Sequence, residues 1–378
     1  YVSSDSQQSY SLEQIPKINS GEQLIDCITL SQIGYKVGIT NISHRGRNMF
    51  IQRKKEIAAY VSLLFLLAPL NSMAEDWYPS KWGKDDTLGS VNEITPEIIT
   101  NAAKLVKTGK RYALGMVTGR DTPAYGSRTF ELYAVPHGQG AGDPWGHYQV
   151  TANDDWALVW FGVGSQIDGL GHVGINHTYY NGNYIKDFYT DGGLKKLGTH
   201  EIPPIVTRGI MLDAVAYMKE TDLSKVMSVS GKEMLRESVA INKAEIEGML
   251  QRQNLSVQTG DVVLIHTGFM AMADMDKKRY MKALPGIGLE GALYLAEKNI
   301  VAVGADTFGT EVWPGTRAAE GHLLPVHTEL LTKRGIYILE NMVTHELAAD
   351  DAYEFLFVLG QARMEGAVQM IINPVAIR

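Results

Sequence analysis

The segment GSQIDGLGH, Gly164 to His172, combines residue types that could do chemistry. Asp168 offers an anionic oxygen, and His172, four residues later, offers a neutral nitrogen. Gln166 lies two residues before Asp168, so an extended chain would point both side chains the same way. Carboxylate and imidazole groups bind metals, and the glycines allow the backbone to approach a ligand closely. The pattern alone is weak, because an Asp that caps a turn beside a buried structural His looks the same.

Two residues near the C-terminus could add further ligands. PVHTELLTKRG predicts a helix that begins at Pro325 and ends at Gly335, and IYILEN predicts the strand that follows it. His327 lies on this helix, and Glu340 lies near the end of this strand. Considered singly, each is more often a helix-surface histidine or a strand-end glutamate than a ligand.

The elements around these residues follow an α/β pattern. DVVLIHTG (Asp261 to Gly268) and IVAVGADT (Ile300 to Thr307) are typical of buried strands, and GLEGALYLAEKN between them predicts an amphipathic helix. ANDDWALVWFGV also predicts a strand, so GSQIDGLGH is expected to be a strand exit in a loop-rich region. In Phe355 to Ile372, strand and helix signals cannot be separated by period.

Composition is typical of a soluble globular protein. The 378 residues are 45% hydrophobic and 20% charged, which suffices for a sizeable core. The net charge of −7 gives no reason to expect nucleic acid or an anionic membrane, since both need clustered Lys and Arg. A small-molecule partner fits better. The single cysteine, Cys27, lies within residues 1–48, so a mature chain that begins at Glu75 has no disulfide, thiolate ligand or Cys nucleophile.

The N-terminal region differs from the rest. From Met49, a basic segment precedes an apolar run, Ile57 to Leu70, and then Ser72-Met73-Ala74. This order predicts a secretory signal peptide over residues 49–74, and the run is shorter than the about 20 residues of a membrane span. We therefore expect a periplasmic or secreted protein that has no membrane contact after cleavage. Residues 1–48 are predicted to be an upstream extension, disordered or outside the mature protein.

The region from residue 77 to residue 378 resembles the cyclase family of metal-dependent hydrolases, which includes bacterial kynurenine formamidase and isatin hydrolase. WYPSKWGKDDTLGSVNEITPEIITNAAKLVKTGKRYALG is similar to the opening of a longer subgroup. GDVVLIHTG, PGIGLEGALYLAEKNIVAVGADT, PVHTELLTKRGIYILEN and NPVAI match later blocks of the family in order. The resemblance implies a swivelling β/β/α fold of the α/β class, one cyclase-family hydrolase domain over residues 75–378, and a homodimer or homotetramer.

The family signature HxGTHxDxxxH aligns with residues 162–172. Asp168 and His172 keep their identities, whereas Gly162, Ser165 and Gln166 replace the first His, the Thr and the second His. In the family, the two leading His residues and the Asp bind metal, usually zinc or manganese. A later His and Glu, which correspond to His327 and Glu340, complete the site.

The resemblance therefore implies a site for zinc or manganese with Asp168, Gln166, His327 and Glu340 as ligands. Gln166 would bind through its amide oxygen, or the other three would hold a single ion by themselves. If the metal is lost, Asp168 and His172 remain as an acid/base pair. His147 or His177 is the first substitute if Gln166 does not bind.

The implied reaction is hydrolysis of a small amide, imide or lactone, with His172 and Asp168 as catalytic residues. The ion would lower the pKa of a water toward about 7, and His172 would transfer the proton to the leaving group. One alternative is an exported small-ligand-binding protein whose metal site has weakened. Another is a metal-free hydrolase with Ser165 as nucleophile, although the GxSxG context is missing.

Overall fold

A nine-stranded mixed sheet organises the protein. The computed structural model describes residues 77–136, 144–315 and 321–378, all of which belong to one compact unit, Met73–Arg378. The predictions for residues 1–48 and 49–74 lie outside the described residues. The strands of the described part, in chain order, are β1 Arg111–Ala113, β2 Phe130–Pro136, β3 Asn153–Val159, β4 Gln166–Asp168, β5 Thr178–Tyr179, β6 Asn183–Tyr184, β7 Tyr189–Thr190, β8 Gly193–Leu194, β9 Ile205–Asp213, β10 Val226–Val229, β11 Lys232–Leu235, β12 Ala240–Ile241, β13 Val262–His266, β14 Gly286–Ile287, β15 Ala302–Ala305, β16 Tyr337–Glu340, β17 Glu354–Leu359, β18 Gln369–Ile371 and β19 Val375–Ile377.

The helices of the described part are short. No helix in the described ranges is long and apolar enough to cross a membrane. The α-helices are α1 Pro96–Ala103, α2 Ile185–Phe188, α3 Ala214–Thr221, α4 Lys243–Gln253, α5 Ala271–Met275, α6 Lys277–Tyr280, α7 Leu289–Ala296, α8 Pro325–His327 and α9 His345–Ala349; the 3₁₀-helices are Gly89–Glu93, Tyr180–Gly182, Thr199–Glu201 and Leu223–Lys225; and a π-helix spans Thr328–Lys333.

The strand order of the large sheet is β1-β19-β17-β9-β13-β15-β16-β4-β18. The central strands β9, β13, β15 and β16 are parallel, and both flanks pair antiparallel to them. Every residue of β13 and β15 is buried, which explains their continuous apolar sequences, because helices cover both faces of parallel sheets. The α/β prediction is confirmed, and both strands lie within the predicted segments.

The helix predicted after Pro325 is confirmed, with an unexpected interior. It begins as an α-turn and continues as a π-helix, a form that is uncommon and often found near functional sites. Gly335 follows with a φ of 64°, and a side chain there would collide with Tyr180. A glycine is therefore required for the chain to turn into β16.

The stretch predicted as a strand exit differs from expectation. Gln166–Asp168 is itself a strand, β4, held between β16 and β18. The preceding strand β3 does exist, but it pairs with β2 in a separate two-stranded ribbon whose residues are largely exposed. The second half of β3, residues 156–159, is apolar, and this sequence does not reveal that both faces of the strand are largely exposed.

Candidate metal centre

Three neighbouring strands bring four polar side chains together. In β4, Gln166 and Asp168 project to one side and Ile167 to the other, where it is fully buried, because alternate residues of a strand face opposite ways. The register places Glu340 of β16 opposite Gln166, and Gln369 of β18 opposite Asp168. The short strand β4 thus sets the positions of all four groups.

His327 completes this cluster from the helix. Its Nε2 lies 3.4 Å from Oε1 of Glu340 and 3.7 Å from Oδ2 of Asp168. One ligand atom from each of these three residues lies within 4.8 Å of the others, and all three residues are buried. Within the described ranges, no other group of three or more His, Cys, Asp or Glu residues meets this condition.

Two amides occupy the remaining carboxylate oxygens. Nε2 of Gln166 donates to Oε2 of Glu340 at 2.7 Å and to Oδ1 of Asp168 at 3.2 Å. Nε2 of Gln369 donates to the same Oδ1 at 2.7 Å. These bonds orient both carboxylates so that Oδ2 of Asp168 and Oε1 of Glu340 face the imidazole.

Glu311 orients the imidazole from the other side. Its Oε2 lies 2.8 Å from Nδ1 of His327 and also accepts the backbone N–H of that residue at 3.2 Å. Because a carboxylate only accepts hydrogen bonds, Nδ1 carries a proton in either charge state of the ring, and Nε2 is the nitrogen that faces Asp168 and Glu340. A carboxylate behind a histidine in this way is common at metal sites.

The charges in the cluster favour a cation. Burial by itself would lower the pKa of His327, but the hydrogen bonds to Glu311 and Glu340 outweigh it and raise that pKa. Burial raises the pKa of the Glu340 carboxyl, and the nearby charge of Asp168 raises it further. Carboxylates crowded in a buried site repel each other, so a positive charge placed between them is stabilised.

The residues fit a divalent metal ion. Oδ2 of Asp168 and Oε1 of Gln166 are buried and have no hydrogen-bond partner among the described residues. Such atoms cost free energy unless a cation or water satisfies them. Two carboxylates and one imidazole form a ligand set of the kind that holds zinc or manganese, with positions left for further ligands. Whether the Gln166 oxygen binds an ion stays a prediction.

A cavity of about 210 Å³ opens onto this cluster. His172 lines it, and no hydrogen bond of its imidazole to the described residues is present, so the ring is available to a ligand. Burial lowers the pKa of His172, and this effect exceeds the opposing charge of Asp168. The lining consists of Tyr125, Arg128, Gln166, His172, Leu284, Phe308, Gly309, Glu311, Trp313, Leu323, Leu324, His327, Glu340 and Gln369.

Sequence reasoning brought some of these residues forward and missed others. Gln166, His172, His327 and Glu340 line one cavity, and Asp168 lies next to His327 and Glu340. Their roles as metal ligands and catalytic residues stay predictions. Glu311, Gln369 and Arg128 were missed, because no local pattern marks them. The suggested substitutes His147 and His177 are exposed and do not line the cavity.

Ser165 has a structural position. Its Oγ donates to the carbonyl of Asn341 at 2.5 Å and accepts the N–H of Met116 at 2.8 Å, and the residue is fully buried. Gly164 beside it has a φ of 78°, and Thr118 fills the space of a side chain there. Ser165 therefore supports the turn into β4, and no bond links it to His172 as a nucleophile requires.

Comparisons with known proteins agree with this fold. The family model described as "Putative cyclase" matches residues 98–312, which is more than half of the chain. The protein therefore belongs to the cyclase family. Among curated proteins, no significant match is found.

Solved structures with the same fold include a protein described as a novel cyclase. It is 29% identical, with a TM-score of 0.69 over 80% of this chain and 97% of its own. Isatin hydrolase A from Ralstonia solanacearum is 16% identical, with a TM-score of 0.51 over 75% of this chain and 97% of its own. Isatin hydrolase A from Labrenzia aggregata is 17% identical, with a TM-score of 0.50 over 74% and 97%. The two isatin hydrolases show the shared fold.

Proposed function

We propose that the protein is a metal-dependent hydrolase that opens a C–N or C–O bond of a small amide, imide or lactone. One observation carries this proposal: the buried triad of Asp168, His327 and Glu340 faces a cavity that His172 also lines. The fold shared with isatin hydrolases supports the same reaction class. The chemistry is similar to that of an arylformamidase.

Asp168, His327 and Glu340 would hold the ion, which we propose to be zinc or manganese. A bound divalent ion lowers the pKa of a water from 15.7 toward about 7 and polarises a carbonyl oxygen. Gln166 and Gln369 keep both carboxylates in orientation through the hydrogen bonds described above. Glu311 keeps the proton on Nδ1 of His327, so that Nε2 presents its lone pair.

His172 would move the proton. Because burial lowers its pKa, the imidazole is neutral at pH 7 and accepts a proton from the attacking water. The imidazolium then donates this proton to the leaving nitrogen or oxygen. Apolar side chains along the cavity, among them Leu284, Phe308 and Trp313, exclude water and pack against a small cyclic substrate.

Metal analysis and a substrate panel test this function together. Purified protein is expected to contain stoichiometric divalent metal and to hydrolyse at least one member of a panel of aryl formamides, cyclic imides and lactones. Asp168→Ala removes a ligand and is expected to lose both metal and turnover. Asp155→Ala, on the exposed ribbon, is the matched control and should keep both.

The outcome also separates the rival function. A protein that binds panel members without turnover, with or without metal, would favour an exported small-ligand-binding protein with a weakened metal site. The replacement of two signature histidines by Gly162 and Gln166 is the feature that favours this rival. Export itself remains a proposal that rests on residues 49–74.

Glu311→Gln tests the support of the metal ligand. Glutamine keeps the size of the side chain but removes the charge that holds the imidazole proton. We expect metal affinity to fall by about 10- to 100-fold, as for other groups that hydrogen-bond a ligand histidine. Competition titration against a chromophoric chelator measures this. Glu329→Gln is the control, because that buried glutamate pairs with Arg334 and does not line the cavity. Equal affinity of Glu311→Gln and wild type would contradict the assigned role.

A further inference from the structure

Arg128 occupies the space beside Gly162, where the signature has its first histidine. A Cβ built on Gly162 would lie 2.5 Å from Nη1 of Arg128 and 2.8 Å from Oε1 of Gln369. Any side chain at position 162 would therefore push the guanidinium away. Glycine at position 162 therefore leaves the space that the guanidinium of Arg128 occupies. A permanent cation lies where the side chain of a histidine at position 162 would lie.

The guanidinium has little to hold it within the protein. Nη1 donates to the carbonyl of Gly162 at 3.2 Å. Within residues 77–136, 144–315 and 321–378, no carboxylate lies within ion-pair distance of Arg128. The side chain is half-buried and lines the cavity together with His172 and Glu340. Several N–H groups of this guanidinium make no hydrogen bond to the described residues, and they can therefore bind a ligand in the cavity.

The charge of Arg128 reaches the centre of the site. Burial is the main cause of the lowered pKa of His172, and the positive charges of His327 and Arg128 add to it. Burial and Asp168 raise the pKa of Glu340, and Arg128 partly offsets them. Arg128, His172 and Glu340 line the same cavity, and this shared lining places the guanidinium close to the groups that would react.

The sum of the charges around the cavity indicates which kind of ligand can enter it. Asp168, Glu340 and Glu311 carry three negative charges when ionised, and a divalent ion alone would leave the site negative. Arg128 neutralises the remainder, so that an anionic group can enter without net repulsion. The planar guanidinium matches a carboxylate in particular, because its parallel N–H groups bind both oxygens.

We propose that Arg128 is the carboxylate-binding residue of this site. The inference rests on the proposed function, because hydrolysis of an amide, imide or lactone releases a carboxylate within the cavity. That carboxylate is either the one formed in the reaction or one that the substrate already carries. In both cases Arg128 binds the carboxylate, and the apolar wall of Phe308, Trp313 and Leu284 packs against the ring of an aryl or cyclic substrate.

Benzoate and benzamide are the probes, since they share a ring and differ in charge. Calorimetric titration of the metal-loaded full chain is expected to show benzoate binding that weakens by about 10- to 100-fold in Arg128→Gln. Benzamide affinity should not change. Arg128→Lys keeps the positive charge but lacks the parallel N–H groups of the guanidinium. Its benzoate affinity should lie between those of the wild type and Arg128→Gln. Arg120→Gln is the matched control, because Arg120 is exposed and pairs with Glu131.

Kinetics distinguish the two sources of the carboxylate. If the product carboxylate is the ligand, Arg128→Gln relieves product inhibition with neutral substrates. If the substrate carries the carboxylate, the variant raises KM for acidic panel members and leaves neutral ones unchanged. The unfolding midpoints of Arg128→Gln and Arg128→Lys show whether these variants retain the fold.

Benzoate that fails to bind the wild type, or binds it and Arg128→Gln equally, overturns the inference. These outcomes are independent of turnover. Benzoate binding that depends on Arg128 without hydrolysis of any panel member would leave this inference standing and remove the proposed reaction. Turnover without Arg128-dependent benzoate binding would support the proposed reaction and remove the inference about Arg128.

Discussion

Replacement of His327 by alanine is expected to abolish metal binding and to lower the free energy of unfolding by about 3–5 kcal/mol, because it leaves buried carboxylates without a cationic partner. In the wild type, the imidazole is 2.8 Å from Glu311 and faces Asp168 and Glu340, and all four residues are buried. Urea unfolding at pH 7 with a chelator present measures the loss without a contribution from metal.

The loss should depend on pH in a defined direction. Hydrogen bonds to Glu311 and Glu340 raise the pKa of His327 above its unfolded value of about 6.5. Protonated His327 therefore stabilises the fold fully below about pH 6.5, and this contribution disappears as pH rises through the higher folded pKa. The difference in free energy of unfolding between the wild type and His327→Ala should therefore shrink as pH rises.

A matched control separates this effect from a general loss of histidine. His345 is exposed at the start of α9, and His345→Ala should change stability by less than about 0.5 kcal/mol. If His327→Ala were as stable as the wild type at pH 7 in chelator, the four residues would not form the interdependent cluster described above.

Replacement of His172 by glutamine is expected to lower kcat/KM by about 10²- to 10⁴-fold on the best panel substrate, the usual contribution of a general base. Metal content should stay unchanged, because His172 is proposed to transfer a proton, whereas Asp168, His327 and Glu340 are proposed to hold the ion. Steady-state kinetics with metal analysis of the same sample measures both quantities.

The pH profile gives a second readout. Burial lowers the pKa of His172, so the base stays deprotonated at a pH at which an exposed histidine would be charged. The acidic limb of kcat/KM in the wild type should thus lie below pH 6.5, the ordinary value of an exposed histidine, and should be missing in His172→Gln. His147→Gln, an exposed histidine away from the cavity, is the control. Wild-type kcat/KM in His172→Gln would remove this residue from the mechanism.

The sequence by itself determined the α/β class and the principal polar groups of the site. Asp168 and Gln166 lie two residues apart, and that spacing suffices to predict a common direction in an extended segment. His327 and Glu340 followed from the order of a helix and a strand combined with the family resemblance. These inferences succeeded because each depends on local spacing or on a motif that the chain itself contains.

Only the tertiary structure decided which groups support and modify the site. Glu311 forms an isolated bridge with Ile287, Gln369 lies on an edge strand, and Arg128 lies 34 residues before Gly162. Nothing in their local sequence distinguishes them from ordinary surface residues. They meet the cluster because β4 pairs with β16 and β18, and because Gly162 leaves a space. Such contacts arise from long-range packing, which no local period or spacing records.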